Sequence, residues 1–168
     1  MRKALIIIDI QNDYFPGGRF PLADTEQVFN NIHKAIAKAK EKAIPIILVQ
    51  HISQNEHSPF FVQGTEGAKI CQELVDLAPN APIVIKENAD SFYQTTLEET
   101  LSSLSVTELL ICGMMTQNCV THTAISKAAE KYQVSVLGDC CATVSGILNA
   151  IALRALTTRI PITSAVDI

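Results

Sequence analysis

What most constrains this chain is an alternation that repeats from one end to the other. Short apolar runs stand at Ala4–Ile8, Ile44–Val49, Pro82–Ile85, Leu109–Cys112, Val134–Leu137 and Ile160–Thr163. Each is rich in Ile, Val and Leu and has no polar alternation, which predicts parallel strands buried on both faces. The stretches between them carry helical period. Asp24 and Gln27 have the spacing of a capping box, and Val28, Ile32, Ala35, Ile36 and Ala39 follow as one stripe. Thr96 and Glu99 repeat that box ahead of Leu97, Leu101 and Leu104. Val120, Ala124 and Ala128 line a third helix. Ser145 caps a fourth, striped by Leu148, Ile151, Ala152, Ala155 and Leu156, and a weaker helix covers Ala68–Leu77. Strand–helix alternation of this kind predicts an α/β fold with a doubly wound parallel sheet. No linker, repeat or low-complexity segment interrupts the 168 residues, so one domain spanning 1–168 is expected.

That architecture says where to look for function, because ligands of open parallel sheets bind beyond the carboxyl ends of the strands. The first run ends in Asp9, the second in Gln50-His51, the third in Lys86, and the fourth leads through Gly113 to Cys119. Taken singly, Asp9 caps a turn as readily as it does chemistry, Lys86 suits a surfacing strand, and Cys119 suits a packed helix. Their joint arrival at one edge favours chemistry. A thiol attacks as thiolate, which is scarce near a free pKa of about 8.5. A helix start and a lysine favour that anion, and a carboxylate can take the thiol proton and later activate water. His122, three residues after Cys119, is a rival base one helical turn away.

Composition excludes several alternatives. The net charge is −4 with no basic run, which speaks against nucleic acid and against an anionic membrane. The apolar run at the N-terminus is cut by Asp9, too soon for a secretion signal, and no run reaches membrane-helix length. A cytoplasmic location is therefore expected. Five cysteines without a CxxC pair suit neither a disulfide framework nor a zinc ribbon, and no glycine-rich phosphate loop is present.

Three separated segments carry a resemblance: IIIDIQNDYF (6–15), VIKENADSFYQTTLEETL (84–101) and ICGMMTQNCVTHTA (111–124). In order and spacing they are similar to the isochorismatase-like cysteine hydrolases, the superfamily that includes nicotinamidase. The resemblance implies a three-layer α/β/α sandwich with a six-stranded parallel sheet and an Asp9–Lys86–Cys119 triad. It also implies a cis Met114–Met115 peptide, with the N–H groups of Met115 and Cys119 as an oxyanion hole, and a homo-oligomer. The D-x-H metal pair of nicotinamidases is missing after the second strand, and His51 and His57 alone are an unspecific metal signal, so neither metal nor cofactor is expected. Gln117-Asn118 and Thr121-His122 depart from the residues usual around the family cysteine, which leaves substrate identity open.

The expected partner is a small molecule, held by Gln11, Phe15, His51, Phe60, Tyr93, Asn118 and His122. The intact cysteine points to amide-type C–N hydrolysis through a thioester. Vinyl-ether hydrolysis led by Asp9 and a non-catalytic thiol sensor are the alternatives.

Overall fold

The computed structural model describes residues 2–168. Six parallel strands form one sheet: β1 (Lys3–Ile8), β2 (Ile46–His51), β3 (Ile83–Lys86), β4 (Glu108–Met114), β5 (Gln133–Ala142) and β6 (Ile162–Thr163), in the order β3-β2-β1-β4-β5-β6. Helices α1 (Thr25–Glu41), α2 (Gln72–Leu77), α3 (Leu97–Ser103), α4 (Thr121–Ala124) and α5 (Gly146–Leu156) complete the three-layer α/β/α arrangement. The middle strands are sealed as their composition requires, with Ala4 through Ile8 no more than 1% exposed. The strand order reverses between β1 and β4. Asp9 leaves β1 and Cys119 follows β4, so both flank the crevice that such a reversal opens.

Several local expectations are corrected. β3 alternates instead of being buried on both faces: Ile83 and Ile85 are 48% and 56% exposed because it is an edge strand with one face uncovered. Asp24 precedes α1 with φ 57° and no capping hydrogen bond from its side chain. Tertiary bonds set the entry instead, Leu22 N–H donating to Tyr14 O and Ala23 N–H to Thr143 O. At α3 the cap falls one residue early, on Thr95, whose hydroxyl accepts from Leu97 N–H. The third helix breaks after Ala124. Ser126 donates to Asp90 at 2.7 Å and caps a separate 3₁₀ turn, Lys127–Lys131, which contains Ala128. The weak helix over Ala68–Leu77 is likewise divided, because Ile70 forms a bridge to Gln11. Ser145 does cap α5 through Leu148 N–H, but the stripe there is narrower than its sequence suggests: Ala152 and Leu156 are buried while Ile147 and Ile151 are exposed.

One glycine carries the crevice. Gly113 has φ +128°, and a Cβ there would lie 2.0 Å from Ile8 O, in the backbone of the neighbouring strand. Gly113→Ala is expected to cost at least about 1–3 kcal/mol through backbone strain alone, more with the clash. Urea unfolding measures it, and a midpoint equal to wild type would refute the claim.

Candidate active site

Three strand ends deliver the central residues. Asp9 turns sharply out of β1 with φ 56°, a left-handed conformation that is costly for a residue with a side chain. Lys86 closes β3, paired in register with His51 of β2. Cys119 sits in a π-turn, Thr116–Val120, that runs directly into α4. All three are buried, Asp9 at 0%, Lys86 at 1% and Cys119 at 3% exposure. The Lys86 ammonium lies 3.0 Å from Asp9 Oδ2, 3.2 Å from Cys119 Sγ and 2.9 Å from His51 Nδ1. Asp9 Oδ1 has no hydrogen-bond partner among the described residues, and a carboxylate oxygen of Asp9 lies within 4.8 Å of Cys119 Sγ.

Electrostatics fix the resting state. Burial pushes the Cys119 thiol up to about 12, the Asp9 carboxylate pushes the same way, and Lys86 opposes both without compensating. Burial and Asp9 together favour the protonated thiol, while Lys86 favours the thiolate as expected without outweighing them. Burial works to lower the pKa of Lys86, but the Asp9 carboxylate and the hydrogen bonds to Asp9 and Cys119 push it up, and the ammonium is held. Burial, then Lys86, lowers His51 below its ordinary 6.5, so its ring is neutral at pH 7. Where an unfolded chain takes up a proton at His51 and the native one does not, stability falls with falling pH. Unfolding free energy is expected to drop as pH falls below 6.5 towards the lowered native value, and His51→Asn should flatten that window. Equal slopes for the two proteins in urea titrations would contradict it.

The loop before the cysteine contains the cis Met114–Met115 peptide. Met115 O accepts from the N–H groups of Asn118 and Val120, so the chain folds back over this carbonyl as it enters the π-turn. Asn118 is half-buried at the turn.

The expected substrate contacts separate sharply. Gln11 is fully buried and has no polar atom left for a ligand: Nε2 donates to His51 O at 2.8 Å and Ala68 O at 2.7 Å, and Oε1 accepts from His51 N–H at 2.8 Å. It is a clamp on His51. Phe15 stacks edge-on with Phe29 of α1, centroids 5.7 Å apart, and lines a groove of about 510 Å³ with Asn12, Arg19 and Glu66. Tyr93 is 55% exposed, whereas its neighbour Phe92 is buried and stacked on Tyr132. His122 is exposed and makes no described hydrogen bond to the site, because it follows the π-turn that shifts it away from the face of Cys119. Phe60 stays close, half-buried in an aromatic roof.

That roof is where the sequence reading falls short. Tyr14 is 1% exposed, with Phe61 at 4.5 Å, Phe60 at 5.3 Å and Phe20 at 6.5 Å between centroids. Its hydroxyl is pushed up by burial and then by the charges of Asp9 and Cys119, its neighbours at the strand ends. Phe61 bridges to His51 at 5.9 Å. Asp13, only 2% exposed, ties the roof together by accepting from Arg19 N–H at 3.0 Å and Phe61 N–H at 2.8 Å. The polar triplet Gln11-Asn12-Asp13, placed soon after a buried strand, was the available signal for Asp13.

A metal is the remaining question. Asp9, His51 and Cys119 offer ligand atoms that lie within 4.8 Å of one another, a donor set chemically suited to zinc. The Lys86 ammonium is already in hydrogen-bond range of all three, so an ion could join them only by displacing it. His57 is far more exposed and pairs with Glu56 at 3.7 Å. The residues present therefore do not fit a metal.

A model of the isochorismatase domain family matches residues 3–166. The chain belongs to the isochorismatase family. Among curated members, the isochorismatase family protein YddQ of Bacillus subtilis is 35% identical over 145 residues, covering 86% of this chain and 80% of that protein. Among solved members, an isochorismatase hydrolase from Oleispira antarctica shares 31% identity with a TM-score of 0.86, covering 99% of this chain and 95% of that one. A pyrazinamidase of Pyrococcus horikoshii in complex with zinc shares 28% identity with a TM-score of 0.85, covering 98% and 99%. Members of the isochorismatase family are generally hydrolases, so hydrolysis is the general activity to which this site is to be fitted.

Proposed function

We propose that this protein is a cysteine hydrolase that cleaves an amide-type C–N bond of a small molecule through a thioester. The observation that carries the reading is a buried Asp9 carboxylate with an unpartnered Oδ1, within 4.8 Å of the Cys119 sulfur, whose other neighbour is the Lys86 ammonium. Because the thiol rests protonated, its proton must leave as the attack occurs. Asp9 Oδ1 takes that proton while Cys119 Sγ bonds to the carbonyl carbon. The N–H groups of Met115 and Cys119 hold the oxyanion. Collapse breaks the C–N bond, and Asp9 returns the proton to the departing amine. Water then loses a proton to Asp9 and attacks the thioester. Collapse releases the acid and restores the thiol. Lys86 stays charged throughout and balances whichever of Asp9 or Cys119 is anionic.

Relatives support the chemistry: the pyrazinamidase named above carries an amidase name on the same fold. A thiol sensor is disfavoured, since sensing thiols are accessible and have a depressed pKa, whereas Cys119 is buried with a raised one. The direct test is a panel of small amides assayed for ammonia or amine release. Failure of every amide, against turnover of a vinyl ether, would sink the amidase assignment.

A second experiment separates base from bystander. Asp9 raises the thiol pKa, so Asp9→Asn lowers it and should speed iodoacetamide labelling of Cys119 at neutral pH, while turnover is lost. If labelling slows instead, the carboxylate is not holding the thiol neutral.

A further inference from the structure

The third group around Lys86, His51, has a fixed chemical state. An ammonium has three hydrogens and no lone pair, so every neighbour at hydrogen-bond distance must accept. Asp9 Oδ2 and Cys119 Sγ take two hydrogens, and His51 Nδ1, at 2.9 Å, takes the third. A neutral imidazole that accepts at Nδ1 carries its proton on Nε2. Nε2 has no hydrogen-bond partner among the described residues, and the ring is only half-buried. The ring is also held still. Gln11 grips the His51 peptide at both its N–H and its carbonyl, and Phe61 packs against the imidazole. A fully buried glutamine is thus committed to orienting one histidine whose outer N–H is unpaired, next to a buried cation and nucleophile.

We infer that His51 orients the substrate, donating from Nε2–H to an acceptor oxygen that stands beside the scissile carbonyl. The inference rests on the amide-hydrolase reading above and gives it a substrate class: small amides bearing a second carbonyl or a carboxylate next to the reacting one. A substituent ammonium at that position would meet a donor with no lone pair, close to Lys86, and would be rejected.

Two measurements on the full chain decide it. Two-bond ¹H–¹⁵N correlation of the histidine rings at pH 7, with His51→Phe to assign the signal, should show His51 neutral and protonated on Nε2. A ring protonated on Nδ1, or on both nitrogens, overturns the inference whatever the enzyme hydrolyses. Titration with oxamate, an amide with a neighbouring carboxylate, should shift that signal, while propionamide at the same concentrations should not. Equal shifts from both, or none from oxamate, also overturn it, and neither result needs turnover. If Cys119→Ala leaves turnover intact but oxamate still moves the His51 signal, the covalent scheme fails and the orienting role stands. With amides that are turned over, His51→Phe should raise KM for acceptor-bearing substrates about tenfold to a hundredfold, as expected for one lost hydrogen bond. Simple alkyl amides should also lose some activity, because Lys86 loses an acceptor, but their KM should rise by a clearly smaller factor, and His51→Gln should recover part of the loss. A fall in kcat shared by both substrate types, with no such difference in KM, would instead mark a purely structural histidine.

Discussion

Cys119→Ala is expected to lower turnover by about 10⁴- to 10⁶-fold while leaving the protein folded. The size follows from the covalent scheme. Without Sγ there is no thioester, and a water attacking directly would have to occupy the site of a buried side chain and lose its proton unaided. What remains is whatever the oxyanion donors supply alone. The structural cost should be small, about 1 kcal/mol, because only one sulfur atom leaves a packed environment. Cys119→Ser is the sharper version. A hydroxyl can still accept from Lys86, so the hydrogen bond now 3.2 Å long can persist, but an alkoxide is far harder to form than a thiolate. It should be nearly as inactive as alanine. Intact-mass analysis of acid-quenched wild-type reactions should show the acyl adduct, and neither variant should. Residual turnover above a tenth of wild type in Cys119→Ala would rule out the thioester and favour Asp9-led chemistry.

The parts of this site that could be read from sequence are those set by strand ends. Asp9, Lys86 and Cys119 are visible because an apolar run terminates at, or leads to, each of them, and the parallel fold puts all such ends on one edge. His51 was visible as a strand-end residue, but its contact with Lys86 depends on the β2–β3 register, His51 against Lys86, which no local pattern encodes. Gln11 illustrates the opposite failure. A polar residue just past a catalytic strand looks like a ligand contact, yet all its hydrogen-bonding capacity is turned inward. The swap of Phe15 for Tyr14 has the same origin. Residues Asn12–Tyr14 form a 3₁₀ turn, and in a single turn neither helical nor strand periodicity says which aromatic faces in. His122 was placed by assuming 3.6 residues per turn, and the π-turn through Cys119 invalidates that phase. At the fold level, strand positions were legible from composition alone, and Ser145 marked the start of α5, whereas the start of α1 was set by tertiary hydrogen bonds such as Ala23 N–H to Thr143 O.

Lys86→Met should be the most destabilising single change in the site, costing about 3–5 kcal/mol in urea unfolding. Methionine keeps most of the apolar stem and removes only the charge, so packing loss is minor. What remains is a carboxylate at 0% exposure that has lost its ammonium and already has an unpartnered Oδ1. An isolated buried charge is penalised far more heavily than a pair is rewarded, so deleting the other partner should relieve the penalty. Asp9→Asn combined with Lys86→Met is therefore expected to regain at least half of the lost stability, because no uncompensated charge is left. Asp9→Asn alone should cost less than Lys86→Met, since the ammonium keeps Cys119 and His51 as acceptors. Turnover should be abolished in all three variants. The recovery of folding without recovery of activity would separate the two roles of the same ion pair: Lys86 holds the charge that Asp9 needs in order to be buried, and Asp9 is buried where the thiol proton has to go. If Lys86→Met unfolds at the wild-type midpoint, the ammonium is not what makes a charged Asp9 tolerable at the end of β1, and its hydrogen bonds to Asp9 and Cys119 would have to be read as incidental to the site.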